Sequence, residues 1–210
     1  MDSPIDNGMI ALADALCPFF KSTGHTPNMI TTYSLITGVL SVICLYNGYP
    51  IAFGILYTIS YFFDCMDGHF ARKYNMTSKG GDLYDHIKDI SVYILLIYVV
   101  YVKYRKVIRI TDFVIIFLAV FVSCVHMGCQ QKQLDKKEDD ETLDNSKILC
   151  PDKRMIYYTR WMGMGTLMLI TIVMILYIHY RCNAYMGATG ELNCKAISLY
   201  TFGHLKRRFQ

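Results

Sequence analysis

The stretch DCMDGHFARKYNMTSKGGDLYDHIKD, residues 64–89, overlaps the ends of two apolar segments, 51–70 and 83–101. It carries four carboxylates: Asp64, Asp67, Asp85 and Asp89. Because residues three or four positions apart share one face of a helix, each pair of aspartates lies on a single face. A connection of roughly ten residues would turn the two faces toward each other. The stretch therefore predicts a cluster of acidic side chains where two helices meet.

Four like charges beside apolar helices repel one another and lose hydration, which is unfavourable unless a cation compensates them. Carboxylate oxygens favour hard cations such as magnesium, manganese or calcium over zinc, and magnesium usually completes its coordination with substrate phosphates. Gly68 and Ala71 leave little bulk beside Asp67, and Arg72 offers donors that suit phosphate oxygens. We therefore expect Mg2+ (or Mn2+) and a diphosphate substrate. Aspartates that only flank helices at a water interface are the alternative, which leaves the interleaved glycines and arginine unexplained.

The composition indicates a membrane protein. Of the 210 residues, 53% are hydrophobic, and the mean hydropathy is +0.27. The 21 Lys and Arg residues are scattered between apolar runs and the net charge is only +4, so we expect no nucleic-acid partner. A membrane-spanning helix needs about 20 mostly apolar residues. Five segments meet this requirement: 29–47, 51–70, 83–101, 110–127 and 161–180.

Before the first of these segments, apolar residues recur at helical spacing. They are Met9, Ile10, Leu12, Ala13, Leu16, Phe19 and Phe20. This stripe predicts a helix that lies along the bilayer surface, with a core helix as the alternative. A sixth membrane helix beyond Tyr180 stays open because glycines and charges interrupt the apolar run. The predicted fold class is all-α, a polytopic membrane bundle of five to six transmembrane helices plus an N-terminal interfacial helix, in a single domain over residues 1–210.

A polar loop, about residues 130–153, precedes the last predicted membrane helix, and its run KKEDDETLD indicates solvation rather than chemistry. The eight cysteines include no metal-binding or redox spacing. Two pairs, Cys129 with Cys150 and Cys182 with Cys194, would form disulfides if their loops faced an oxidising compartment. The Lys and Arg residues that flank the predicted helices are nearly balanced between the two sides, so the positive-inside rule leaves the orientation open.

The stretch 64–89 resembles the signature of the CDP-alcohol phosphotransferase family, DxxDGxxAR followed by eight residues and then GxxxDxxxD. The matching residues are Asp64, Asp67, Gly68, Ala71, Arg72, Gly81, Asp85 and Asp89. The segment TPNMIT at 26–31 also resembles the Pro-Asn-x-Ile-Thr opening of the family's first membrane helix. Because eight fixed residues stand at fixed gaps, the motif is highly specific.

This resemblance implies a helical membrane enzyme that is usually dimeric, with six spans and an active site open to the cytosol. In a eukaryote it would lie in the endoplasmic reticulum or another internal membrane. Asp64, Asp67 and Asp85 are implied to hold two divalent ions against the diphosphate of a CDP-linked substrate, with Asp89 as the base or a further metal ligand. An alcohol then attacks the phosphorus beta to the cytidine and expels CMP. The residues implied to contact the CDP moiety are Asn28, Asp67, Gly68, Ala71, Arg72 and Gly81.

His86 follows Asp85 directly and gives GDLYDHIKD, which resembles the GxLFDHGxD stretch of choline and ethanolamine phosphotransferases. Histidine suits general-base work near neutral pH, and Asp89 lies three residues further on, where it could orient the imidazole. We therefore expect a phospholipid-synthesising transferase that moves a phosphoalcohol from CDP-choline or CDP-ethanolamine to diacylglycerol and releases CMP, with His86 and Asp89 as catalytic residues. A histidine that only hydrogen-bonds within the bundle is the alternative.

Three other interpretations stay open. The segment DGHFAR also resembles the DGHAAR stretch of phosphatidylinositol synthases, in which CDP-diacylglycerol is the donor and a soluble polyol is the acceptor. That branch typically has methionine at the position of His86. A noncatalytic cation-binding membrane protein is a different class, but a degenerate enzyme should have lost motif residues. Membrane prenyltransferases also hold magnesium on a diphosphate through aspartates, but the DGxxAR core argues against them.

Overall fold

The computed structural model describes residues 3–131, 150, 152 and 155–189. These residues form seven helices and contain no strand, which confirms the predicted all-α bundle. The helices are α1 (Pro4–Ser22), α2 (Pro27–Tyr46), α3 (Pro50–Lys73), α4 (Lys79–Tyr104), α5 (Ile110–Gln131), α6 (Met155–Thr159) and α7 (Met164–Thr189). Most of the predicted polar loop at about 130–153 lies outside the described residues. Beyond Tyr180, where a sixth span was left open, the chain continues α7 as far as Thr189, and the residues after it also lie outside the described part.

All five predicted membrane segments coincide with helices, namely α2, α3, α4, α5 and α7. Three stretches of the described chain are long and apolar enough to cross a membrane: Pro27–Tyr46, Ile110–Gln130 and Ile156–Ala188. The charged residues of the 64–89 stretch lie on α3 and α4 and lower the mean hydropathy of both helices. Large apolar side chains such as Ile97 and Phe117 remain 60% and 69% exposed. Extensive apolar surface of this kind suits a lipid environment.

The residue contacts divide the chain into two compact units. The motif unit comprises Ala13–Ile108 with Ile172–Gln210, and the α5 unit comprises Met1–Leu12 with Arg109–Thr171. The motif unit contains the whole 64–89 stretch. The single domain over residues 1–210 stays a prediction.

In the motif unit, α2 begins where the sequence supplies a helix start. The Thr26 side chain accepts a hydrogen bond from the Met29 backbone N–H at 3.4 Å, and Pro27 occupies the first turn, where its missing N–H costs nothing. The helix ends before Gly48, whose φ of 82° suits glycine, and Pro50 starts α3. The tight turn between the two helices brings α3 back against α2.

Helix α2 packs against both α3 and α4 through small residues. A methyl group added at Gly38 would lie 2.9 Å from Ser60 Oγ and 3.1 Å from Val92 Cγ2, so the three helices approach closely there. Ser34 Oγ donates to the Ser60 carbonyl at 2.9 Å, and Ser60 Oγ donates to the Ser34 carbonyl at 2.8 Å. Small residues and hydroxyl groups of this kind join helices in a bilayer, where the hydrophobic effect between helices is weak.

At the other end of α2, a buried lysine covers the last carbonyls of the helix. Lys103 Nζ of α4 donates to the Leu45 carbonyl at 2.9 Å and to the Tyr46 carbonyl at 2.8 Å. The carbonyls of the last turn have no partner within their own helix and carry partial negative charge, so an ammonium group satisfies them well.

The N-terminal helix α1 is confirmed as a helix, and its second half packs on the motif unit. Ala13 and Cys17 are buried in one apolar cluster with Ile30, Met66 and Phe70. In contrast, three apolar side chains of the helix are exposed by a third or more: Leu12, Leu16 and Phe19. A helix with one face in the protein and another apolar face exposed is compatible with a position at the bilayer surface, which stays a prediction.

The α5 unit is held together by covalent and polar contacts between its segments. A disulfide links Cys129 to Cys150, which confirms one of the two cysteine pairs that the sequence allows; Cys194 of the other pair lies outside the described residues. Buried His126 Nδ1 lies 3.1 Å from Thr159 Oγ1. At the start of α7, Asp6 Oδ1 accepts a hydrogen bond from the Gly165 N–H at 2.7 Å. A carboxylate at a helix N-terminus satisfies a free donor and interacts favourably with the helix dipole.

Candidate active site

A short turn between α3 and α4 brings the acidic residues together. Helix α3 ends after Lys73, and Asn75 adopts the left-handed conformation, with φ 53°, that commonly stops a helix. Ser78 then starts α4, because its side chain accepts a hydrogen bond from the Gly81 N–H at 3.1 Å. The connection is only residues 74–78, shorter than the roughly ten residues expected, because both helices continue through polar residues beyond their apolar segments.

Three of the four motif carboxylates form a compact group. One oxygen from each of Asp64, Asp67 and Asp85 lies within 4.8 Å of the others. Asp67 is only 5% exposed, and its Oδ2 accepts a hydrogen bond from Thr31 Oγ1 of α2 at 2.6 Å. This hydroxyl fixes the orientation of the carboxylate. The fourth predicted metal ligand, Asp89, does not belong to this group of three.

The donor set of this group fits a divalent cation. Asp85 Oδ1 is buried and, although it lies 2.9 Å from Lys88 Nζ, no donor is aligned to hydrogen-bond with it. Converging carboxylate oxygens with unused acceptor capacity are the ligands that magnesium and manganese prefer. The family resemblance implied a metal at these residues, and the geometry of the three carboxylates is compatible with it.

Sequence analysis missed Lys88, which lies within the acidic cluster and is only 3% exposed. Its Nζ forms an ion pair with Asp64, and it lies 2.9 Å from both Asp85 Oδ1 and Asp89 Oδ1. The position of Lys88, three residues after Asp85, already placed it on the same helical face as that aspartate. The chain itself thus supplies a cation to the cluster that the four carboxylates alone do not indicate.

The residues expected to contact the CDP moiety border the cluster in two places. The Arg72 guanidinium lies across Gly68, where an added methyl would come within 3.4 Å of Nη1. Asn28 lies beside Gly81, where an added methyl would come within 3.1 Å of the Asn28 Oδ1. Arg72 and Asn28 are both exposed, and Ala71 is partly buried on the same helix as Arg72. Both motif glycines thus provide space for a neighbouring polar side chain.

His86 contacts the preceding turn of its own helix. Its Nδ1 lies 2.9 Å from the Asp82 carbonyl oxygen and 3.6 Å from Asp82 Oδ1, and the side chain is 40% exposed. Asp89, which we expected to orient this ring, is not among these contacts. The catalytic roles of His86 and Asp89 stay predictions.

A second polar group ties α1 to the motif helix. Asp14 Oδ1 lies 2.5 Å from Lys73 Nζ and 2.8 Å from His69 Nε2, and both partners belong to the segment DGHFARK. The lysine first, and then the histidine, hold the pKa of the Asp14 carboxyl below its ordinary value of 3.8. No spacing rule links Asp14 to residues so far along the chain, so the sequence did not predict this contact.

Comparison with known proteins extends the motif match to most of the chain. The profile of the family described as CDP-alcohol phosphatidyltransferase matches residues 24–191. A CDP-diacylglycerol–inositol 3-phosphatidyltransferase of Candida albicans is 26% identical over 171 residues, which cover 78% of this chain and 69% of that protein. The protein of the same name in Saccharomyces cerevisiae is 40% identical over 65 residues, 31% of this chain and 29% of that protein. No solved structure gives a significant match.

Both relatives bear the name of the phosphatidylinositol alternative rather than that of the choline or ethanolamine interpretation. The exposed apolar helices and the aspartate cluster agree with a membrane enzyme that uses a divalent metal and acts on a CDP-alcohol and a lipid. The family profile covers well over half of the residues. This chain therefore belongs to the CDP-alcohol phosphatidyltransferase family and is an integral membrane transferase of phospholipid biosynthesis.

Proposed function

We propose that this enzyme transfers the phosphatidyl group of CDP-diacylglycerol to a hydroxyl group of inositol and releases CMP. The observation that carries the chemistry is the convergence of the Asp64, Asp67 and Asp85 carboxylates within 4.8 Å. The choice of donor and acceptor is supported by the names of the two relatives, one of which aligns with 78% of this chain. The likeness of DGHFAR to the corresponding inositol-branch segment supports the same choice.

In this proposal, Asp64, Asp67 and Asp85 hold a divalent cation, for which magnesium is the first choice and manganese the second. When bound, the cation would neutralise charge on the diphosphate and on the departing phosphate of CMP. The buried and hydrogen-bonded Asp67 provides a ligand of fixed orientation, since Thr31 holds its second oxygen at 2.6 Å.

Residues on the border of the cluster bind the nucleotide and orient the reacting group. The Arg72 guanidinium is exposed beside Gly68, which supports a bidentate contact with phosphate oxygens. Asn28 beside Gly81 offers an amide to the polar part of the nucleotide. Together they hold the beta phosphorus where an acceptor hydroxyl can approach it opposite to the CMP oxygen.

The inositol oxygen forms a bond to the beta phosphorus, the bond from that phosphorus to the CMP oxygen breaks, and the hydroxyl proton goes to a base. Asp89 is the first candidate for this base, because its side chain is 56% exposed, compared with 28% for Asp64 and 31% for Asp85. A soluble polyol can reach an exposed carboxylate directly. In the choline or ethanolamine reaction, His86 would be the base instead, with 40% of its side chain exposed.

The cellular setting is part of the same proposal. We place the active site on the cytosolic side of the endoplasmic reticulum or another internal membrane, with two copies of the chain forming a homodimer among membrane lipids. The family resemblance supports this setting, because members of the family commonly work as dimers in such membranes. Glycosylation mapping of the loops and cross-linking in native membranes would test orientation and dimer formation.

The decisive experiment is CMP release by purified protein with Mg2+. CDP-diacylglycerol is offered with inositol, serine or glycerol 3-phosphate, and CDP-choline or CDP-ethanolamine is offered with diacylglycerol. We expect metal-dependent release only with CDP-diacylglycerol and inositol. Release with another soluble acceptor would correct the acceptor, and release only with CDP-choline or CDP-ethanolamine would restore the first interpretation of the sequence. Silence in every pairing would favour the noncatalytic alternative.

The choline or ethanolamine reaction remains the second candidate because of a single residue, His86 in GDLYDHIKD. The substitution His86→Met separates the two candidates, since the inositol branch typically carries methionine there. If inositol is the acceptor, we expect the variant to keep turnover close to that of the wild type. Collapse of turnover with nucleotide affinity retained would show that His86 acts as the base and would count against the inositol proposal.

A further inference from the structure

Helices α2 and α4 face each other near their N-termini through two pairs of residues. Asn28 and Thr32 lie one turn apart on α2, and Gly81 and Tyr84 lie one turn apart on α4. Thr32 Oγ1 lies 3.1 Å from the Tyr84 hydroxyl oxygen, and a methyl added at Gly81 would come within 3.1 Å of Asn28 Oδ1. Asn28, which is proposed to bind the nucleotide, therefore lies one turn from a direct hydrogen bond between the two helices.

The direction of this hydrogen bond follows from the second contact of the Thr32 hydroxyl. Thr32 Oγ1 lies 2.8 Å from the Asn28 carbonyl oxygen, and a carbonyl oxygen can only accept. The single proton of the Thr32 hydroxyl is therefore used there, and its oxygen accepts a proton from the Tyr84 hydroxyl. A chain of two hydrogen bonds thus runs from the Tyr84 phenol through Thr32 to the backbone of Asn28.

This chain sets the conformation of the first turns of α2. A threonine hydroxyl that bonds the carbonyl four positions earlier competes with the backbone and bends a helix locally. The Tyr84 hydroxyl anchors Thr32 from the opposite helix, and both side chains are partly buried, which limits competition from water. The position of the Asn28 backbone relative to α4 therefore depends on a phenol group of α4.

The neighbouring hydroxyl groups of α2 hold other parts of the motif unit. Thr31 donates to the metal-site carboxylate of Asp67, and Ser34 donates to the Ser60 carbonyl of α3. Neither hydrogen bond involves the Tyr84 hydroxyl. Loss of that hydroxyl should therefore loosen Asn28 while the orientation of Asp67 is retained.

We propose that Tyr84 and Thr32 are positioning residues for the nucleotide, because their two hydrogen bonds hold Asn28 beside Gly81. The inference rests on the proposed function and adds a residue of α4 that acts on the nucleotide only through α2. The Tyr84 phenol itself contacts neither the metal nor the reacting phosphorus in this arrangement. One neutral hydrogen bond typically contributes about 3–10-fold to an equilibrium constant, which is the size of effect to expect here.

The test measures nucleotide binding and metal binding separately, without an activity assay. Full-length protein in nanodiscs is titrated by calorimetry with CMP at saturating Mn2+, and in a second series with Mn2+ alone. We expect Tyr84→Phe and Thr32→Val each to weaken CMP binding by about 3–10-fold and to leave Mn2+ affinity unchanged. The double variant should lose no more than either single variant, because both substitutions break the same chain of hydrogen bonds.

Two further variants serve as controls. Thr32→Ser keeps the hydroxyl group and should bind CMP like the wild type. Tyr98→Phe removes the hydroxyl of a tyrosine that is 60% exposed further along α4, and it should also bind CMP like the wild type.

The outcomes separate this inference from the proposed function. Unchanged CMP affinity in Tyr84→Phe would overturn the inference and leave the proposed function intact. Losses that add in the double variant would also overturn it, since the two hydroxyls would then act independently. A parallel loss of Mn2+ affinity would overturn it as well, because Tyr84 would then act through the adjacent Asp85. Absence of CMP binding by the wild type would overturn the nucleotide site itself.

Discussion

The motif unit and the α5 unit both bury polar side chains, but they use them for different purposes. In the motif unit, hydroxyl groups of α2 and the ammonium of Lys88 surround a concentration of negative charge. In the α5 unit, polar contacts connect separate segments of the chain, as the Asp6 carboxylate does by accepting from Ser3 Oγ and from the Gly165 N–H. The excess of negative charge in the first unit needs a cation from outside, whereas these contacts of the second unit bring no such group of like charges together. The polar side chains of the motif unit thus form a chemical site, whereas the described ones of the α5 unit support the structure.

The largest expected difference comes from removing one carboxylate in each unit. We expect Asp85→Asn to lower the rate of CMP release by more than about 100-fold. Loss of a residue that only orients a metal ligand typically costs about 10–100-fold in metal affinity or activity, and loss of the ligand itself should cost more. Asp112→Asn removes a carboxylate that caps the Arg109 N–H at 2.8 Å in the α5 unit. We expect that control to keep its turnover per folded molecule. Equal losses in the two variants would erase the distinction between the units.

The next effect concerns the hydroxyl that supports Asp67. Thr31→Val keeps the shape of the side chain but removes the 2.6 Å hydrogen bond to Asp67 Oδ2. We expect Mn2+ affinity to fall by about 10–100-fold, since residues that orient a ligand contribute by this amount. Thr37→Val is the matched control on the same helix, because the Thr37 hydroxyl donates only to the carbonyls of Tyr33 and Ser34. Titration of Mn2+ by calorimetry measures both, and equal affinities would refute the supporting role of Thr31.

Two adjacent glycines at the start of α4 should differ in how a methyl group changes stability, an effect smaller than the previous two. A methyl at Gly81 would come within 3.0 Å of Ser78 Oγ and 3.1 Å of Asn28 Oδ1, whereas Gly80 has nothing within 4 Å. We expect Gly81→Ala to lose about 1–3 kcal/mol of stability through overpacking. Gly80→Ala should gain up to about 1 kcal/mol from helix propensity. Unfolding in mixed detergent and CMP release would report both, and a neutral Gly81→Ala would contradict the predicted contact with Asn28.

The smallest effect should come from the Asp14 contact with Lys73 and His69. The pKa of Asp14 is lowered in the folded protein, so the contact contributes stability above the ordinary value of 3.8 and loses it as the pH falls through the lowered value. We expect Asp14→Asn to melt slightly below the wild type at pH 7, and the difference to vanish in acid. Solvent screens this exposed group, which keeps the effect small. A difference that persisted unchanged in acid strong enough to protonate Asp14 in the folded protein would show that the contact is not ionic.

Spacing alone located the acidic cluster, because steps of three and four residues fix which side chains share a helical face. It could not locate Thr31 or Asp14, since the contacts from Thr31 to Asp67 and from Asp14 to His69 cross 36 and 55 positions of the chain. Lys88 was visible in the sequence, but one lysine among charged residues usually indicates a solvated face. Only the packing of α4 against α2, and the contacts of Lys88 with the aspartates, show that its ammonium is buried.

The choice between substrate branches rested on equally local information. His86 stands in a motif that choline and ethanolamine enzymes share, and a single residue carried the first interpretation. Two relatives carry the name of the inositol branch instead, and one of them aligns with 78% of this chain. The length of the connection at 74–78 was overestimated, because apolar periodicity ends before the helix does when the last turn of the helix is polar.

The lysine that covers the end of α2 has a consequence for how the enzyme meets membranes of different thickness. Lys88 and Lys103 lie 15 positions apart on α4, about 22 Å along a helix, and each is bonded to α2, one through Ser34 and the other through Leu45 and Tyr46. Sliding one helix past the other would break both attachments at once. We therefore expect a thinner or thicker bilayer to be accommodated by tilting α2 and α4 together rather than by sliding one past the other.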